Sequence, residues 1–148
     1  MKTEALKEKY IKYNLTKDDV FKHQHYIILT RSGIEKIQAI EGINIDYTVI
    51  KCEKDFAVLQ ADADNGDDRI IQTFGSALKG EGYKDGNTNS WYVMEMAEKR
   101  AMSRAVLKLT GFYELGVFGE DEAEDFKKSN NTEPHRHQKG QDYGDGTF

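Results

Sequence analysis

The fold is decided by the stretch from Trp91 to Gly111, WYVMEMAEKRAMSRAVLKLTG, which is predicted to form one long helix. Within it Arg100, Arg104 and Lys108 recur every four residues, so they lie on one side of the helix, with Lys99 at the border. Alanines recur at the same spacing one position further round, and their small side chains allow close packing against a sheet or another helix. The stretch therefore predicts a helix with a packing face and a neighbouring cationic stripe.

The cationic stripe allows two interpretations. Basic residues in the second half of a helix complement the negative end of its macrodipole and solvate its exposed face. However, the stripe begins about three turns before Gly111, and from Lys99 to Tyr113 there are four positive charges and no negative one. In a chain whose formal net charge is −5, this concentration favours a binding site for a polyanion.

Length and composition predict one domain with appendages. The chain has 148 residues, of which 38% are hydrophobic, enough for a modest core. The single Cys52 has no partner for an internal disulfide, and the Met1 start lacks the apolar core of a secretory signal. No apolar run approaches the roughly 20 residues of a membrane span. We therefore expect a cytoplasmic protein that does not enter a membrane.

The charge distribution divides the chain at residue 119. Residues 120–148 hold eight acidic and four basic side chains, whereas residues 1–119 are nearly neutral. Beyond Gly119 the sequence is polar and contains several glycines, so it cannot bury enough apolar area to fold alone. We expect a folded binding domain over residues 1–119 and an acidic, mostly disordered tail over residues 120–148.

The first forty residues predict short elements. Leu6, Tyr10 and Tyr13 lie on one side of an N-terminal helix, and Thr16 to Asp19 resembles a capping box that opens a second short helix. A brief strand over residues 26–30 and a helix of about two turns follow. The helix opens at a second capping box over residues 32–35 and ends at Gly42.

Three strand-like runs precede the long helix, at Ile45–Lys51, Phe56–Asp62 and Arg69–Ser76. A charged break over residues 53–55 joins the first two, and an Asn-Gly turn at residues 65–66 joins the second to the third. A glycine-containing loop over residues 80–89 then leads into the helix, which Asn89 or Ser90 is expected to cap. The sequence therefore predicts an α+β fold, an antiparallel β-meander packed against one long helix.

Aromatic and basic residues gather just before the long helix. Tyr83 and Trp91 could stack on unpaired bases beside Lys79 and Lys84. The sequence is equally consistent with Trp91 as a buried residue that anchors the helix to the core. No glycine-rich phosphate loop is present, and neither the Asp62–Asp68 run nor the short His pairs have the spacing of a metal site. We expect a binding protein without enzymatic activity, cofactor or metal.

The order of elements, a short helix, a three-stranded meander, a glycine-containing loop and a long helix, resembles the single-strand annealing proteins of phages, of the Sak, Erf and Red-beta kind. It also resembles the eukaryotic ring-forming annealing protein with the same β-β-β-α core. The likeness covers about residues 26–119, and its closest motif is Arg104-Ala-Val106 followed by Lys108 and Gly111. The resemblance implies that Arg104 and Lys108 face the phosphates of a bound single strand, and that subunits assemble into a ring or filament.

The end of the tail resembles the tip by which bacterial single-strand-binding proteins recruit repair partners. Asp142, Asp145 and Phe148 carry this likeness, which implies a host repair or replication protein as a partner. A tail that only aids solubility is the alternative.

The predicted function is ATP-independent binding of single-stranded DNA and annealing of complementary strands in phage-type homologous recombination. For a phage-encoded protein this would take place in the host cytoplasm. Two alternatives stay open: a single-stranded DNA-binding protein that does not anneal, and a phage protein-interaction or inhibitor module that acts through its acidic surface. The residues expected to bind DNA are Lys79, Tyr83, Lys84, Trp91, Lys99, Arg100, Arg104 and Lys108.

Overall fold

The computed structural model describes residues 2–66, 69–81 and 85–122. Its helices are α1 (Lys2–Lys12), α2 (Arg31–Glu41) and α3 (Val93–Leu109), with a 3₁₀ turn at Tyr113–Leu115. Its strands are β1 (Val20–His23), β2 (Tyr26–Leu29), β3 (Asn44–Cys52), β4 (Phe56–Asp64), β5 (Ile70–Leu78) and β6 (Val117–Gly119). One sheet has the antiparallel order β3-β4-β5, and the other has the order β1-β2-β6, in which β6 runs parallel to β2. In the described part of the chain, no helix is long and apolar enough to cross a membrane.

Helix α3 packs directly on β4 and β5 because both sides of the contact carry small residues. Ala97, Ala101 and Ala105 are fully buried. A Cβ atom at Gly75 would lie 2.2 Å from the Ala97 carbonyl oxygen and 2.5 Å from the Ala101 nitrogen. The Thr73 hydroxyl donates to the Ala101 carbonyl at 2.9 Å. The predicted α+β fold, with a three-stranded antiparallel meander packed against one long helix, is confirmed.

The face of the β3-β4-β5 sheet that points away from α3 carries exposed apolar side chains. Along β4 the residues alternate between buried and half-buried, so the odd-numbered ones face α3. On the other face, Ile70 and Phe74 of β5 keep 69% and 50% of their surface accessible. The edge strand β3 is exposed along most of its length, including Val49 and Ile50. The sheet therefore offers exposed apolar side chains and an open edge to another chain.

The segment from Thr16 to Asp19 forms a turn, so the predicted second helix is wrong. The buried Asp19 carboxylate accepts from the Thr16 backbone nitrogen at 2.9 Å and lies 2.7 Å from the Lys36 ammonium. Burial alone would raise the pKa of Asp19, but these hydrogen bonds lower it overall. Because Asp19 closes the turn, the next residues are extended and form β1, which pairs with β2.

The ends of α2 and α3 also differ from the prediction. Thr30 caps α2 in place of Ser32, since its hydroxyl accepts from the Gly33 nitrogen at 3.1 Å. Gly42 ends the helix with a φ of 69°, as predicted, after 11 residues rather than about two turns. Helix α3 begins at Val93 without a side-chain cap.

Strand β6 was not predicted, because three residues are too few to show a periodic pattern. It pairs with β2, with Ile27 opposite Val117.

The residues that follow β6 contact the domain although the predicted boundary assigns them to the tail. The Glu120 carboxylate accepts from the Arg31 backbone nitrogen at 2.6 Å, and the Asp121 carboxylate accepts from the Ser103 hydroxyl at 3.2 Å. The domain therefore extends at least to residue 122, and residues 123–148 lie outside the described part.

Candidate nucleic-acid interface

Arg100 is buried between α3 and the outer edge of β5, whereas the sequence places it on an exposed stripe. It keeps only 4% of its surface accessible. Its guanidinium donates to the carbonyl oxygens of Ser76 at 2.8 Å and Asn87 at 3.0 Å. Because β5 is an edge strand, the outward carbonyl of Ser76 needs a partner other than a strand. Arg100 therefore ties α3 to β5 and to the following loop, and the prediction of an exposed Arg100 is wrong.

Arg100→Ala is expected to lower the free energy of unfolding by about 2 kcal/mol, because buried carbonyl groups lose hydrogen bonds from a charged donor. Urea unfolding measures this loss. The matched control is Lys99→Ala, since Lys99 is half-buried on the same helix and should change stability by less than about 0.5 kcal/mol. An Arg100→Ala protein as stable as the control would contradict the structural role of Arg100.

Arg104 is paired with a carboxylate of its own chain. Its Nη1 lies 2.7 Å from the Glu122 carboxylate and 3.3 Å from the Tyr113 hydroxyl. That hydroxyl also donates to Glu122 at 2.7 Å. Burial and the hydrogen bond to Glu122 raise the pKa of Tyr113 above its ordinary value, so the phenol stays protonated. A carboxylate thus occupies the position beside Arg104 where the resemblance to annealing proteins implies a phosphate.

Lys108 and Lys99 are half-buried, and within the described ranges neither lies at ion-pair distance from a carboxylate. The Lys108 ammonium lies 5.6 Å from the ring centre of Tyr113. The Arg69 guanidinium donates to the Lys108 carbonyl at 3.2 Å. Arg69 and Lys108 therefore place two cationic side chains beside the first residues of β5.

A second group of cations surrounds Trp91 at the other end of β5. The Lys79 ammonium lies 4.1 Å from the ring centre of Trp91, and the Lys54 ammonium lies 5.6 Å from it. Trp91 keeps 60% of its surface accessible, so it is a surface side chain rather than a core anchor. Among the residues that the structure describes, no carboxylate lies at ion-pair distance from Lys54 or Lys79. Both ammonium groups are therefore available to an anionic ligand.

The end of β3 and the start of β4 lie at the same end of the sheet and carry a second lysine–aromatic pair, on the face that points away from α3. The Lys51 ammonium lies 5.8 Å from the ring centre of Phe56. It also lies 3.5 Å from the Glu53 carboxylate, in an exposed pair that is easily broken. Five residues thus lie at one end of the sheet, and we call them the basic–aromatic surface: Lys51, Lys54, Phe56, Lys79 and Trp91.

Backbone hydrogen bonds hold the elements of the basic–aromatic surface in place. The Lys79 nitrogen donates to the Asp55 carbonyl at 2.8 Å, which ties the end of β5 to the turn between β3 and β4. The Asn87 nitrogen donates to the Leu78 carbonyl at 2.8 Å, and the Asn87 amide oxygen accepts from the Leu78 nitrogen at 2.7 Å. Asn87 thereby fixes the loop that leads to Trp91. A surface ordered before binding loses little conformational freedom when a ligand arrives.

The structure brings together only some of the residues predicted from the sequence. Lys79 and Trp91 meet as expected, but Lys54 was missed, because the charged break over residues 53–55 indicates only a connection between strands. The antiparallel meander was a usable signal, since it places that turn at the same end of the sheet as Lys79. Outside the described residues lie Tyr83, Lys84, Asp142, Asp145 and Phe148.

The opposite end of the open sheet face is acidic. Asp46 and Asp62 are paired across β3 and β4, and Asp64 ends β4. The amides of Gln72 and Gln60 donate to Asp62 at 2.9 Å each and lower its pKa. Within the described part of the chain, no group of three or more His, Cys, Asp and Glu residues is placed to hold a metal ion. The charge of the open sheet face thus disfavours a polyanion on this face at the end that carries Asp46, Asp62 and Asp64.

No protein-family model, curated protein or solved structure matches this chain. The likeness to phage annealing proteins stays a prediction, which depends on the order of elements and on the residues of α3. The function is therefore inferred from the chemistry of the surfaces described above.

Proposed function

We propose that this protein binds single-stranded DNA on the basic–aromatic surface and, as a homo-oligomer, anneals complementary strands without ATP. The observation that carries the proposal is the exposed ring of Trp91 flanked by Lys54 and Lys79. Ammonium groups neutralise phosphates, and an exposed ring stacks on an unpaired base with about 1–3 kcal/mol of binding free energy. A duplex keeps its base faces stacked inside, so such a surface favours single strands.

The annealing part of the proposal is supported by the β-β-β-α order of elements and by the exposed apolar residues of the sheet. Ile70 and Phe74 on the open face, and Val49 on the edge strand β3, offer contacts to a neighbouring copy. Copies side by side would repeat the basic–aromatic surface and hold one strand extended. Bases ordered in this way can sample a complementary strand, and neither ATP nor a covalent step is required.

Binding and annealing assays on the full chain test this function. Anisotropy of a labelled single strand, measured over a range of salt concentrations, should show an affinity that falls steeply, with a log–log slope of about −0.7 for each neutralised phosphate. Addition of an unlabelled complementary strand then measures annealing. Binding without faster annealing would show a single-stranded DNA-binding protein that does not anneal strands. The absence of binding at low salt would contradict the proposal.

A further inference from the structure

A recess between α3 and the outer edge of β5 holds two guanidinium groups and one carboxylate. Arg100 contacts Ser76 near the end of β5 and Arg69 contacts Lys108 near its start, so α3 runs antiparallel to β5. The recess therefore lies between the basic–aromatic surface at one end of β5 and Lys108 at the other. It is lined by Phe74, Gly75, Ser76, Asn87, Arg100, Arg104 and Glu122.

The carboxylate in the recess belongs to a segment of three consecutive acids that docks on the domain through polar contacts. The Glu120 carboxylate accepts from the Arg31 backbone nitrogen, and the Asp121 carboxylate accepts from the Ser103 hydroxyl. The Glu122 carboxylate accepts from the Arg104 guanidinium and from the Tyr113 hydroxyl. The Glu122 side chain is only 13% exposed, whereas that of Arg104 is 35% exposed. Glu122 thus covers part of the Arg104 side chain, which stays partly open to solvent beside it.

A phosphate can replace the Glu122 carboxylate beside Arg104. Its oxygens accept charge-assisted hydrogen bonds from a guanidinium in the same geometry as a carboxylate does. Exchange of the carboxylate for a DNA phosphate also releases counterions from the strand, which favours the exchange at low salt. The cluster is therefore suited to hold either anion.

We propose that Glu122 is an internal phosphate mimic that closes the arginine recess, and that a single strand bound at the basic–aromatic surface displaces it to reach Arg104 and Lys108. This inference rests on the proposed function, because it assigns regulation to the same DNA path. The strand first contacts Trp91 and then extends along β5 once Glu122 has moved. The apparent affinity is lowered by the fraction of molecules in which the recess is closed.

Glu122→Gln tests this inference by removing the charge that competes with phosphate. We expect the affinity for a labelled single strand to rise about three- to tenfold at low salt. The matched control is Glu8→Gln, which removes one negative charge from an exposed position of α1 and should change the affinity less than about twofold. Adding Arg104→Ala to Glu122→Gln should abolish the gain, since the two residues are coupled.

Tyr113→Phe provides a second variant that leaves the net charge unchanged. It removes one of the donors that hold Glu122, so the recess should open more often and the affinity should rise about twofold. Thermal melting of each variant shows whether the fold is retained. A gain in Tyr113→Phe cannot come from a change in net charge.

The outcomes separate this inference from the proposed function. If Glu122→Gln and Tyr113→Phe bind single strands no better than the wild type while loss of Trp91 weakens binding, the assignment of Glu122 as a phosphate mimic is wrong. The proposed function then stands. If neither the wild type nor Glu122→Gln binds a single strand, both the proposed function and the phosphate mimic are wrong.

Discussion

Trp91→Ala is expected to weaken the binding of single-stranded DNA about 5- to 150-fold, while the domain stays folded. The Trp91 side chain is 60% exposed, so its removal costs little packing. It does remove the stacking face for one base and the ring beside which Lys54 and Lys79 lie, a loss of about 1–3 kcal/mol in binding free energy. Anisotropy of a labelled single strand at fixed salt measures the change.

Two variants control for the loss of an exposed apolar side chain. Trp91→Phe keeps an aromatic face and should retain most of the affinity. Ile11→Ala removes a side chain that is 77% exposed on α1, and its affinity should match that of the wild type. A Trp91→Ala protein that melts and binds like the wild type would show that the DNA site lies elsewhere.

Gly75→Ala is expected to lower the free energy of unfolding by about 3 kcal/mol, a larger loss than that from Arg100→Ala. The new Cβ atom would lie 2.2 Å from the Ala97 carbonyl oxygen and 2.5 Å from the Ala101 nitrogen, both in the backbone of α3. A helix backbone cannot rotate away as a side chain can, so α3 must move off β5, and such overpacking costs about 1–3 kcal/mol or more. The shift also stretches the hydrogen bond from Thr73 to Ala101. Urea unfolding measures the loss.

Ser76→Ala is the matched control for Gly75→Ala. Ser76 is the next residue of β5, and its side chain lies on the opposite face of the sheet while its carbonyl still accepts from Arg100. We expect its stability to stay within about 0.5 kcal/mol of the wild type. A Gly75→Ala protein of wild-type stability would mean that α3 does not sit this close to β5.

The main elements of the fold could be predicted because their patterns are periodic. Alternating apolar residues predicted the three strands of the meander, and the alanines spaced four apart predicted the packing face of α3. The strand β6 has three residues and becomes a strand only by pairing with β2, a contact made across ninety residues of sequence. The sheet β1-β2-β6 therefore could not be predicted from local pattern.

The surroundings of the basic residues on α3 could not be predicted from their helical spacing. Spacing places Arg100, Arg104 and Lys108 on one side of the helix but does not say what that side contacts. The close packing of Ala97 and Ala101 against Gly75 turns that side toward the outer edge of β5, where backbone carbonyls surround Arg100. The pairing of Arg104 with Glu122, 18 residues away, depends on the return of the chain through β6.

The fluorescence of Trp91 reports directly on the contact between the basic–aromatic surface and DNA, because the sequence contains no other tryptophan. Titration of the full chain with an unlabelled single strand should quench this emission to a plateau, since a base stacks on the indole ring, and added salt should reverse the quenching. An emission that stays constant while anisotropy reports binding would place the DNA away from Trp91 and contradict the proposed site.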